Sequence, residues 1–283
     1  MSASPSSSAQ AARKAVADRL RELMLDAGLT GKQLADRCGW TAATTSRIIN
    51  AKTAPSDQQI RAWCTACDAD GQAADLIARS RQADAMFLEW RRMERTGLRR
   101  AQEAVRPLYE RTRTFRVYAS WIVPGIVQTR AYTTAVLEAI RDRRNLVDDV
   151  EAAVAERMDR QHVLHDGHHR FVLLIEESVL RGGPGGAPVM AEQLRHLLAV
   201  SRLPNVSLGV LPTRPTRGGA WPVESFWIYD QTQVNVELVS GYLTITQPSE
   251  IAMYEQVFGE LSQIAVRGAA ARELIASAIQ ALL

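Results

Sequence analysis

Residues 29–56 read LTGKQLADRCGWTAATTSRIINAKTAPS, and this stretch decides the fold of the N-terminal part of the chain. Leu34, Ala35 and Cys38 recur at the spacing that lines one face of a helix, and Thr45, Ile48 and Ile49 do the same eleven residues on. Gly39 supplies a sharp bend between them. Two short helices joined by about three residues with glycine at the bend make a helix-turn-helix. Ala35 suits a close helix crossing, because a larger side chain there would push the second helix off its seat. The second helix then projects Thr41, Ala42, Thr44, Ser46 and Arg47 outward. Small and hydrogen-bonding groups of this kind let a helix come close to the edge of a DNA major groove.

On the N-terminal side, Val16, Leu20, Leu23 and Met24 predict a helix from about Gln10 to Ala27, stopped by Gly28. Residues 1–9 are small and polar and read as a disordered tail. Further helices are expected over Thr30–Cys38, Ala42–Asn50, Ser56–Cys67 and about Gly71–Glu94, with Ser56 and Asp70 as caps. Charge then divides the chain. Residues 1–60 carry a net +3, 79–116 a net +6 and 117–283 a net −4, within an overall +3. The basic 79–116 block reads as a solvated helical connector.

Beyond residue 117 the periodicity changes. Phe171–Ile175 and Val206–Leu211 are β-rich apolar runs separated by a helix carrying Met190, Leu194, Leu197 and Leu198, which predicts a parallel crossover. Val223–Tyr229 and Val234–Val239 flank the turn Asp230-Gln231-Thr232-Gln233 and should pair antiparallel, with Tyr242–Thr246 as a third strand. Helices are expected from Pro248 and over about Ala269–Leu282, and another from near Thr129. The fold class is therefore multidomain α and α/β. A helix-turn-helix domain spans 10–70, a connector 71–116, and an α/β domain with a mixed sheet for regulation and dimerisation 117–283.

The motif at 29–56 resembles the Xre/Cro/cI class of bacterial and phage repressors, in its L-A-x-x-x-G step and the following run that ends in Ser46-Arg47-Ile48, Lys52 and Pro55-Ser56. That resemblance implies a lambda-repressor-like helical bundle whose recognition helix is Ala42–Asn50. It places Thr41, Ala42, Ala43, Thr44 and Arg47 nearest the bases and Lys32, Gln33, Ser46, Asn50 and Lys52 toward phosphates. The sequence departs from the pattern at Gly31, where glutamine is usual, and at Ala51, where glycine is usual. From Leu98 onward, segments such as WIVPGIVQTRAYTTAVL and RFVLLIEESVLRGGPGG are similar to the C-terminal domain of actinomycete regulators of the WhiJ kind. That similarity implies regulation of transcription rather than catalysis, and for some members a small acidic partner protein, as for an antitoxin.

The remaining constellations have ordinary structural readings. Cys38, Cys64 and Cys67 are too few for a disulfide framework and are explained by packing, and no signal peptide or membrane span is evident, so a cytoplasmic protein is expected. The loop Arg181–Gly186 lacks a following Lys-Ser/Thr and reads as a flexible connector rather than a phosphate cradle. His162, His165, His168 and His169 read as a solvated helix terminus rather than a zinc site. Glu176, Glu177, Glu224 and Asp230 read as solvated acids at strand ends. No catalytic residue, metal or cofactor is expected. The expected partners are a double-stranded DNA operator and a second copy of the chain, because one such module buries only about 600–1,000 Å² on DNA. A small acidic protein and a small-molecule effector are further candidate partners of the C-terminal domain.

Overall fold

The computed structural model describes residues 5–213, 217–238 and 241–282. Two compact units are present, one formed by 1–91 with 244–251 and the other by 92–243 with 252–283. None of the helices among the described residues is long and apolar enough to cross a membrane.

The first unit is helical: α1 (Pro5–Asp26), α2 (Gly31–Cys38), α3 (Ala42–Ile49), α4 (Asp57–Ala66) and the first part of α5 (Ala73–Ala104). Helix α1 starts at Pro5, inside the segment expected to be a tail. Proline is tolerated in the first turn, where its missing N–H would be unpaired anyway, and no breaker separates it from Gln10. The expected residues 1–4 of that tail lie outside the described residues. Leu20, Leu34, Ile48, Ile60 and Trp63 are fully buried at the centre. The indole N–H of Trp63 donates to the Leu20 carbonyl at 2.9 Å, so the largest core side chain leaves no polar atom unpaired. Asp70 does not cap α5. It opens a 3-10 turn, and its carboxylate accepts from the Thr65 hydroxyl.

The second unit holds the end of α5, then α6 (Arg106–Arg111), β1 (Thr114–Ala119), α7 (Arg130–Arg144), α8 (Val150–Arg160), β2 (Arg170–Glu176), α9 (Glu177–Leu180), α10 (Gly186–Val200), β3 (Val206–Leu211), β4 (Phe226–Tyr229), β5 (Gln233–Leu238), the start of β6 (Gly241–Ile245), most of α11 (Pro248–Ile264), β7 (Val266–Arg267) and α12 (Gly268–Gln280). The seven strands form one mixed sheet in the order β6-β5-β4-β1-β2-β3-β7. β1, β2 and β3 are parallel, with Phe115 opposite Phe171 and Phe171 opposite Val206, while β4 pairs antiparallel with β1 and with β5. The expected β2-helix-β3 crossover and β4–β5 hairpin are both present, although β4 begins at Phe226 rather than Val223, because the Val223 carbonyl accepts from the Ser120 hydroxyl instead of a strand partner.

Strand β1 begins at Thr114, within the stretch expected to belong to the connector. Arg116 interrupts the apolar run T-F-R-V-Y-A and hides it. The guanidinium is neutralised in place, at 2.9 Å from Glu255 and 3.2 Å from the Asp230 carbonyl. The loop 123–129 is held by side chains that reach its backbone. Gln128 Nε2 donates to the Val123 carbonyl, Gln193 Nε2 to Val127, and Gln161 Nε2 to Gly125 and Gln128. The buried Arg157 adds bonds to Gln102 and Gln128, and the guanidinium of the buried Arg160 lies 4.7 Å from the centre of the Tyr109 ring. A buried polar network with its members paired specifies one arrangement of the surrounding elements.

Helix α5 is broken at Gly97 (φ 80, ψ 175), where a new helical turn begins. Asp149 caps that turn from a distance in sequence, its two carboxylate oxygens each accepting a backbone N–H, from Leu98 and Arg99, at 2.9 Å. A Cβ on residue 97 would clash with the Asp149 carboxylate, so glycine is demanded both by φ and by the cap. Gly97→Ala should therefore destabilise the second unit by about 2 kcal/mol and Asp149→Ala by about 1 kcal/mol. The double variant should lose less than the sum, because both changes remove the same cap. Urea midpoints of the four proteins, followed by a probe of the sheet unit, check this.

Candidate nucleic-acid interface

The geometry of the helix pair follows from its caps. Thr30 accepts from the Gln33 N–H at 3.3 Å, while the Gln33 side-chain oxygen accepts from the Thr30 N–H at 2.9 Å, a reciprocal capping box that fixes the start of α2. The start of α3 is fixed by Thr41, whose hydroxyl accepts from the Thr44 N–H at 3.3 Å. Ala35 is buried, as are Leu34, Thr45 and Ile48. The indole N–H of Trp40 donates to the Thr45 hydroxyl at 2.9 Å, and its ring lies 6.3 Å from that of Trp63. This bond lets a threonine hydroxyl be buried under α3 without a desolvation penalty. Sequence reasoning assigned Trp40 no role, because a lone aromatic after a turn glycine has no periodicity to reveal its direction.

Each of the four helices in this module ends in the same way, with the N–H that follows a left-handed residue reaching back to a carbonyl five residues earlier. The bonds are Leu29 to Met24, Trp40 to Ala35, Lys52 to Arg47 and Ala69 to Cys64, at 2.8–3.1 Å. The left-handed residues that make this closure are Gly28, Gly39, Ala51 and Asp68. Such closures favour glycine, and Ala51 (φ 52) is the position where the resembling family usually has it. Gly31 is the other departure. A Cβ there would meet Thr45 Cγ2 at 3.6 Å, an ordinary contact, so the absence of a side chain is not imposed by packing.

With Thr45 and Ile48 turned inward, α3 leaves its other face open. Thr41, Ala42, Ala43, Ser46, Arg47 and Asn50 are exposed and Thr44 is half-buried. Among the described residues Arg47 takes part in no ion pair. Lys32, Gln33 and Lys52 are exposed at the start of α2 and just beyond α3. Two of these side chains are partly committed to the fold. The Gln33 oxygen belongs to the capping box, which leaves its NH₂ group for a partner, and Asn50 Nδ2 donates to the Ser46 carbonyl at 2.7 Å. Arg37, exposed on α2, donates to the Ala66 carbonyl at 2.9 Å and so ties α2 to the end of α4.

The other constellations resolve into structure. The three cysteines are free. Burial pushes the Cys67 thiol up to about 11, with Cys38 and Cys64 adding to the effect, so it stays protonated at neutral pH. His169 is buried rather than solvated, with Nδ1 donating to the Thr112 carbonyl and Nε2 at 3.1 Å from Asp166, because it packs against the rings of Phe115 and Phe171. Glu176 is likewise buried, paired with Arg217 at 2.9 Å and accepting from the Tyr118 hydroxyl at 2.7 Å. The Asp230 carboxylate accepts from the Arg113 and Thr114 amides, and Glu224 accepts from the Tyr254 hydroxyl. The glycine loop is also more constrained than a flexible connector. A Cβ on Gly183 would come within 3.0 Å of Tyr132, and Gly185 (φ 87) and Gly186 (φ 78) are left-handed. Among the described residues no group of three His, Cys, Asp or Glu could hold a metal ion.

Two outcomes follow for the module. Ala51→Gly should stabilise the first unit by about 0.5–1 kcal/mol, since an L side chain in the left-handed region costs about 1–2 kcal/mol and glycine loses part of that gain to chain entropy. A raised urea midpoint checks it, and a lowered one contradicts the cap assignment. Alkylation of Cys67 by iodoacetamide at pH 7 should be slow in the folded protein and fast in denaturant, read by mass spectrometry of the labelled peptide.

Residues 15–77 match the family described as a helix-turn-helix domain. Residues 103–277 match the one described as a domain of unknown function, DUF5753. No curated protein matches the chain. A solved structure described as TrmBL2, an archaeal chromatin protein with a novel mode of DNA binding, aligns over 85% of this chain and 88% of that chain, at 10% identity and a TM-score of 0.30. A likeness that low carries no argument. With well over half its length inside the second match, the chain belongs to the DUF5753 family and carries a helix-turn-helix domain ahead of that domain.

Proposed function

We propose that the chain is a sequence-specific DNA-binding regulator of transcription, of the Xre/Cro/cI type and similar to the WhiJ-like proteins, which acts in the cytoplasm as a homodimeric repressor without catalysis of its own. The carrying observation is the open face of α3, where Thr41, Ala42, Ala43 and Arg47 are exposed while Thr45 and Ile48 anchor the helix from behind. In helix-turn-helix proteins it is the N-terminal part of this second helix that meets base edges. Arg47 is the long cation on that face, and a guanidinium pairs in two-point fashion with the O6 and N7 of guanine. Lys32 and Lys52 supply charge at either end of the helix pair, where the duplex backbone would pass.

Dimerisation is supported by an energetic argument. A single module of this size makes a small interface, and two copies about 34 Å apart on one face of the duplex would supply the missing affinity. The DUF5753 domain is the larger part of the chain and is proposed to provide that contact and any response to an effector.

Capture of genomic fragments at physiological salt, followed by sequencing, should recover a site with two related half-sites. On that site Arg47→Ala should weaken binding by about 1–3 kcal/mol and relax one base position, whereas Lys52→Ala should weaken specific and random duplexes alike and lower the salt dependence. Equal loss on both duplexes for Arg47→Ala contradicts the reading.

A further inference from the structure

The first turn of α3 has few polar groups to offer a base. The hydroxyl of Thr41 already accepts the Thr44 N–H at 3.3 Å, and the Thr41 and Thr44 hydroxyls share a hydrogen bond at 3.1 Å. One of the two O–H hydrogens is consumed by that bond, so the pair retains a single free donor. Between them, Ala42 and Ala43 are exposed and carry only methyl groups. The turn that would enter the groove first is therefore mainly a surface of methyls. The next charged group on that face is Arg47, five residues from Ala42 and about 7.5 Å along the helix, roughly two base-pair steps of a duplex.

From this we infer that the chain selects its DNA chiefly through the C5-methyl groups of thymine, packed against Ala42 and Ala43, with a guanine read by Arg47 about two base pairs away. In the major groove the thymine methyl is the apolar feature that distinguishes one base from the others, and alanine is a natural contact for it. The inference rests on the proposed DNA-reading role and adds to it the chemistry of the half-site, which would be thymine-bearing with one guanine.

The test uses the full chain and synthetic duplexes carrying the site recovered from genomic fragments, with single thymines replaced by uracil. This removes one methyl and leaves pairing intact. Loss of a contacted methyl should weaken binding about three- to five-fold, the equivalent of one buried methylene. At non-contacted thymines, and for random duplex, the replacement should have no effect. In Ala42→Gly or Ala43→Gly protein, whose fold is checked by circular dichroism, the penalty at the matching thymine should disappear. A recovered site whose binding ignores every uracil replacement would overturn the methyl reading while leaving sequence-specific binding in place. A penalty that persists unchanged in both glycine variants would overturn its assignment to Ala42 and Ala43. Failure to recover any preferred site would instead remove the proposed function itself.

Discussion

The packing of α2 against α3, with Leu34, Ala35, Thr45 and Ile48 buried, is the constraint on which the rest of the helical unit depends. It holds only because the helices stop in the right places. Gly39 turns the chain in a left-handed conformation, Thr41 restarts it with a side-chain cap, and Trp40 covers the turn while satisfying the buried hydroxyl of Thr45. Each of these uses a group that would otherwise cost free energy, an orphan helix-end amide or a desolvated hydroxyl. Once they are paired, the inner face of α3 is fixed by Thr45 and Ile48, and the orientation of its outer face follows from helical geometry alone.

The DUF5753 domain is organised by different means. Its sheet core is apolar, with Phe115 and Phe171 stacked at 4.7 Å between ring centres. Around one side of that core runs a set of buried amides and guanidiniums, Gln102, Gln128, Arg157, Arg160 and Gln193. A half-paired network of this kind would be worse than an apolar one, so its value lies in uniqueness of structure rather than in net stability. It holds the loop 123–129 and the adjoining helices in one arrangement. Gly97 and Asp149 extend the same logic to the end of α5, where a carboxylate far away in sequence replaces the missing local cap.

What could be read in the sequence divides along physical lines. Local signals marked the helix pair, the Ser56 cap, the helix start near Thr129, the β2-helix-β3 crossover and the β4–β5 hairpin, because each depends on residues close together in the chain. What stayed hidden depends on distant partners. Arg116 conceals β1 until Glu255 and the Asp230 carbonyl are seen beside it. His169 and Glu176 read as solvated until burial against aromatic rings or against Arg217 is known. At the candidate interface the residue types were legible, but the commitment of the Thr41 and Thr44 hydroxyls to each other was not, and that commitment changes the chemistry the surface can offer.

Under the proposed function, the outer face of α3 is the surface that meets DNA. An amide-resolved NMR titration of the full chain with a duplex carrying its selected site tests this most directly. The account predicts that shifts concentrate on residues 30–33 and 41–52, with the largest at Ala42, Ala43 and Arg47. Shifts confined to the DUF5753 domain, with residues 41–52 silent at saturation, would contradict it.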